Sequence, residues 1–115
     1  MFTLRWTIRA DEEYKALNTA SQAAEQGRKS KKTKKSSKAE GLFKQVNGAL
    51  LKLRNNPRHP GLHTHEFSSL PHPFQQDGKV FEAYAQNRTP VAYRIFWCHG
   101  PRADDITIIA ITPHP

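Results

Sequence analysis

The sequence predicts an α+β domain of order β-α-α-β-β-β, with a mostly antiparallel sheet and an N-terminal helical hairpin packed on one face. Three observations carry this. An alternating strand opens the chain, two helical stretches follow with no strand between them, and the remainder is a run of strands separated by short turns. Consecutive strands joined by short turns pair antiparallel, and two helices then cover one side of the sheet. With 115 residues, one domain spanning 1–115 and one modest core are expected.

Phe2, Leu4, Trp6 and Ile8 alternate with Thr3, Arg5, Thr7 and Arg9, the period of a half-buried strand. Asp11 then reads as a helix cap, with Glu12 and Glu13 in the first turn where acids complement the helix dipole. Tyr14, Leu17, Ala20 and Ala24 form a weak helical stripe, and Gly27 is a natural end unless the basic run prolongs the helix. From Arg28 to Lys38 there is no apolar residue, so this low-complexity segment is expected to connect the helices as a solvated insert. The second helix spans about 39–54, with Leu42, Val46, Ala49 or Leu50, and Leu53 on one face and Asn55-Asn56-Pro57 as its stop.

A His- and Pro-rich stretch, 58–73, contains a possible short strand at 62–67. Strands are then expected at 79–86, at 91–98 and at 106–111, with turns at Gln76-Asp77-Gly78 and Asn87-Arg88-Thr89-Pro90. The 91–98 segment is apolar on both faces except for Arg94, which marks a central strand with one misplaced charge.

The net charge of +8 is not spread evenly. Residues 1–27 carry three Lys/Arg against four Asp/Glu, and residues 39–115 carry eight against six. Residues 28–38 carry seven Lys/Arg and no acid. Such a block attracts a polyanion, either nucleic acid or an anionic membrane surface, while a solvated loop with no partner is the commoner reading of a charge run. The single cysteine, Cys98, excludes an intrachain disulfide, and no secretory leader or membrane-spanning run is visible, so a cytoplasmic protein without a membrane partner is expected.

Several segments together resemble the RelE/ParE toxin superfamily, in its RelE-like branch. They are the helix running out through Leu53-Arg54-Asn55-Asn56-Pro57, the 62–70 segment, the Tyr93-Arg94-Ile95-Phe96-Trp97 strand, and Ile106–Ile111 followed by His114. The resemblance implies a toxin held by a cognate antitoxin, acting on the ribosome as an endoribonuclease that cleaves mRNA without metal or other cofactor. The neighbouring 2′-hydroxyl is then the nucleophile. It also implies roles for residues. Arg94 would stabilise the charged phosphorane, His114 would serve as acid or base, and His65 with Glu66 would act as base or base-orienting partner. Arg58, Lys79 and Arg88, with Lys31, Lys32, Lys34 and Lys35 of the basic block, would contact RNA.

Two departures from that pattern keep other readings open. The strand before Arg94, Phe81–Gln86, carries no cation where ribosome-dependent members often have one, and no C-terminal helix with a Tyr follows the last strand. Both features suit a ParE-like inhibitor of DNA gyrase, and a non-toxic RNA- or partner-binding protein of the same fold is the third reading. The bland alternative for Arg94 is a salt bridge to Glu82 on the adjacent strand. A zinc site built on His59, His63, His65 and His72 is disfavoured, because their spacing matches no structural zinc pattern and Cys98 is remote.

Overall fold

The computed structural model describes residues 1–31 and 37–114. The order is β1 (Thr3–Trp6), α1 (Ile8–Ser30), α2 (Lys38–Asn55), a single 3-10 turn (Pro60–Leu62), β2 (His65–Glu66), β3 (Phe81–Tyr84), β4 (Tyr93–His99) and β5 (Asp105–Pro113). One five-stranded sheet runs β1-β5-β4-β3-β2, parallel only between β1 and β5. The expected α+β architecture is therefore present.

The first strand is shorter than its alternation suggests. Thr7 is the cap of α1, and its hydroxyl accepts the Ala10 N–H at 3.1 Å. Ile8 and Arg9 thus belong to the helix, and Asp11 sits in its first turn, not at its cap. On α2 the cap is Ser37, in a capping box: its hydroxyl accepts from Glu40 N–H while the Glu40 carboxylate accepts from Ser37 N–H. Val46, Ala49, Leu50 and Leu53 of α2 are buried, whereas α1 buries only Ala10 fully.

The start of the basic segment also differs from the expectation of a solvated connection. Residues 28–30 are helical, and Arg28 grips Glu40 across the hairpin with two parallel bonds, Nε–Oε1 and Nη2–Oε2, both 3.0 Å. Arg28, followed by the Ser37 backbone N–H, holds the Glu40 carboxyl down at about 2. Tyr14 adds a second link, donating its hydroxyl to Asn47 Oδ1 at 2.6 Å. Lys32, Lys34 and Lys35 lie outside the described residues.

Strand alternation sorts the core onto two sides. Beneath the helices lie Ala83 of β3, Ile95 and Trp97 of β4, and Ile106, Ile108 and Ile111 of β5, packed on Val46, Leu50, Leu53 and Leu62. On the other side Phe96, Cys98, Ile109 and Ala110 form a second cluster with Val80. A bulge opposite Phe96 and Trp97 leaves Ile109 unpaired between Ile108 and Ala110. The far face is not left open to solvent. Phe67 and Leu70, from the segment between β2 and β3, cover this cluster, with Phe67 and Phe96 rings 4.7 Å apart. Among the described residues, no helix is long and apolar enough to cross a membrane.

Candidate functional site

The far face of the sheet carries its polar side chains around one buried carboxylate. Glu82 projects from β3 to this side and is only 1% exposed. Two histidines hold it. His65, its cross-strand partner on β2, places Nε2 2.6 Å from Glu82 Oε1. His114, just past β5, directs Nδ1 at Glu82 Oε2. Phe67 meets the His114 ring edge-on at 6.2 Å and screens this side.

The partners constrain where protons sit. His65 Nδ1 lies 2.8 Å from the His63 carbonyl, which can only accept, so that nitrogen carries a hydrogen. A further proton must then lie between His65 Nε2 and Glu82. Both His65 nitrogens are thereby engaged. His114 uses Nδ1 toward Glu82, and its Nε2 has no partner among the described residues.

Arg94 stands two strand positions from Phe96 on the same side. It is not paired with Glu82. Its guanidinium lies over the Tyr84 ring, 3.6 Å from the centroid, and Nη1 donates to the Gln86 carbonyl. Its Nε, buried, finds no acceptor among the described residues. The other edge of Tyr84 meets His65, with rings 6.0 Å apart and nearly perpendicular. Tyr84 therefore ties the guanidinium to the His65–Glu82–His114 group.

The remaining expected residues are scattered. Glu66 does not join His65: side chains alternate along β2, so Glu66 faces the other way and pairs with Lys79 Nζ at 3.2 Å, both exposed. Arg58 lies in a separate cavity on the helix side. Arg88 occupies the β3–β4 turn with a left-handed φ of 58°, and exposed Lys31 caps α1 through its backbone N–H. His63 is left-handed and outside the strand, so His63 and His65 do not share a strand face. Among the described residues, no group of three His, Cys, Asp or Glu is arranged to hold a metal. Cys98 is a buried thiol whose ionisation burial pushes up to about 11.

Glu82 is the residue that sequence reasoning undervalued. The signal available was an acid inside an otherwise apolar strand, which must find buried partners. The alternative of an Arg94–Glu82 salt bridge is not what forms, because the guanidinium has Tyr84 and the Gln86 carbonyl instead.

The sequence matches no protein-family model and no curated protein. Its fold does match solved structures. A YoeB/ParE toxin from Agrobacterium tumefaciens superposes with a TM-score of 0.60 at 10% identity, covering 98% of this chain and 99% of that one. A YoeB dimer from Staphylococcus aureus gives 0.60 at 14% identity, over 99% and 98%. An archaeal RelE–RelB complex from Pyrococcus horikoshii gives 0.54 at 13% identity, over 97% and 93%. With nearly the whole chain superposed in each case, the protein has the fold that these toxins share.

Proposed function

We propose that this chain is the toxin of a toxin–antitoxin pair and cleaves ribosome-bound mRNA by metal-free attack of the 2′-hydroxyl. The observation that carries the reading is the grouping of His114, Glu82, His65, Tyr84 and Arg94 on one side of the sheet. A buried carboxylate bound by two histidines beside a guanidinium brings together the groups that acid–base cleavage of RNA uses.

Each group has a place in the reaction. Glu82 accepts from His114 Nδ1 and so leaves the Nε2 lone pair as the base. Nε2 takes the 2′-hydroxyl proton as O2′ bonds to phosphorus. The bond from phosphorus to O5′ breaks, and the leaving oxygen takes a proton from solvent. The products are a 2′,3′-cyclic phosphate and a 5′-hydroxyl. The Arg94 guanidinium, held over Tyr84, is the cation placed to meet the developing charge on the phosphoryl oxygens. His65, with both nitrogens engaged, is a positioning residue for Glu82.

The partners are those such chemistry needs: mRNA on a ribosome, and an antitoxin that covers the site. The RelE neighbour was solved with RelB, which supports the second. The basic segment would meet ribosomal RNA, through Lys31 and through Lys32, Lys34 and Lys35, with Lys79 and Arg88 as flanking contacts. The site of action is the cytoplasm. Induced expression of the wild type and of His114→Ala, with transcript ends mapped in both, tests the proposal. New 5′-hydroxyl ends are expected only with the wild type. Intact transcripts accompanied by lost supercoiling would shift the assignment to a gyrase inhibitor.

A further inference from the structure

A second cavity lies on the helix side of the sheet and takes no part in the chemistry above. It encloses about 610 Å³ between the segment leaving α2 and the adjoining ends of β3 and β4. That size is in the range of small-ligand sites, about 300–1,000 Å³. Phe81 and Trp97 form one wall, stacked at 4.8 Å and 29°. Arg58, His59, His63 and His99 stand around it, and no Asp or Glu lines it.

Among the described residues, none of the four is ion-paired with a carboxylate, and Arg58, His63 and His99 are exposed. His59 accepts the Gly61 N–H on Nδ1, which puts the proton of its neutral ring on Nε2 as a donor. The His99 ring stands edge-on to Trp97 at 5.1 Å. Trp97 is 2% exposed, and its indole N–H has no acceptor among the described residues. A buried donor without a partner is costly to keep, and it makes this indole N–H a reporter of any change in the cavity wall.

We infer that this cavity binds a nucleotide, with the base against the ring of Phe81, which Trp97 backs, and the phosphate among Arg58, His59 and His99. Aromatic faces take any base, and a guanidinium beside imidazole donors suits a phosphate. A carboxylate ligand would use the cations but leave the wall idle. An uncharged aromatic would do the reverse. Two sources offer the same chemistry: a free mononucleotide, or one nucleotide of an RNA strand rounding the β2 edge. His63 marks that edge, since it lines the cavity and also stacks on Tyr84 at 4.9 Å. The inference stands independently of cleavage on the far face.

The test is a titration of the full chain with AMP, with adenosine and with a short 2′-O-methyl RNA. The Trp97 indole N–H is followed by NMR and told apart from Trp6 with Trp6→Phe. A saturable shift of the Trp97 signal is expected. Removing the phosphate from the ligand, or Arg58 from the protein (Arg58→Ala), should weaken binding about tenfold, the worth of one charge-assisted bond. Saturation by AMP identifies the free nucleotide as sufficient; saturation by the RNA alone identifies the strand. No movement with either, or adenosine binding as tightly as AMP, overturns the assignment. His114→Ala should leave the titration unchanged, so failure of the nuclease reading and failure of this one are separable.

Discussion

The two sides of the sheet are built by different rules. Under the helices, Ile95, Trp97, Ile106, Ile108 and Ile111 pack against α2, and close-packed apolar contact supplies most of what holds the domain together. On the far side a smaller apolar cluster is followed, along the same strands, by Glu82, Tyr84 and Arg94. There the strands spend stabilisation on fixing a carboxylate and a guanidinium. One strand, β4, serves both: Trp97 faces the helices and Arg94 faces away, a division set only by alternation. A substitution on either side should therefore damage stability or activity, but seldom both.

The largest effect should come from the far side. Arg94→Ala removes the cation facing the phosphoryl oxygens and should lower RNA cleavage by about 10²–10³-fold, with the melting temperature little changed. Its guanidinium donates to two backbone carbonyls, those of Gln86 and Tyr93, so the variant leaves carbonyl acceptors and not an orphaned charge. Glu82→Gln should lower cleavage and displace its pH profile, because the amide no longer fixes which nitrogen of His114 holds the proton. An unchanged profile in that variant would reduce Glu82 to a structural acid.

Leu53→Ala probes the opposite side. Leu53 is fully buried under the sheet, and its truncation should cost about 2–5 kcal/mol by chemical denaturation. The folded fraction should retain normal cleavage per molecule. A specific-activity loss as large as that of Arg94→Ala would mean that the two sides are coupled through the sheet.

The far side also stores strain. Val91, at the end of the turn that delivers Arg94, has a φ of 54°, a left-handed conformation that β-branched residues resist. It is 73% exposed, so no packing is lost on removing its side chain. Val91→Gly should stabilise the domain by about 0.5–1 kcal/mol, the relief of the left-handed penalty less the entropy of a glycine. Destabilisation by the same amount would show that the valine is held there by contacts worth more than its strain.

How far the sequence disclosed this division differs from element to element. Alternation at Phe2–Trp6, the apolar stripe through Val46, Leu50 and Leu53, and the central strand around Arg94 all read correctly, because each is a local pattern of known period. Thr7 was misread because a Thr in an alternating run looks like the outward residue of a strand. Only the chain's change of direction shows its hydroxyl capping Ala10. The Glu82 bridge was hidden for another reason. Its partners come from β2 and from beyond β5, and no periodicity links residues that meet only through strand pairing. The cover supplied by Phe67 and Leu70 was equally invisible, since it comes from a segment without secondary structure.

The smallest expected effect lies in the hairpin and depends on pH. Arg28 and the Ser37 N–H hold the Glu40 carboxyl at about 2, below its ordinary 4.5. The folded protein therefore binds this proton less readily than the unfolded chain. Its contribution to stability is complete above about 4.5 and is lost as pH falls through about 2. Glu40→Gln keeps the capping box, since glutamine also reaches the cap N–H, while removing the charge that Arg28 grips. Melting curves of the two proteins should be separated near neutral pH and converge between pH 4.5 and 2, with the wild type approaching the variant. A gap that persists at the acid end would trace the stabilisation to the geometry of the Arg28 contact and not to its charge. The far-side chemistry should not register the substitution at all, because α2 meets that face of the sheet only through the apolar layer between them.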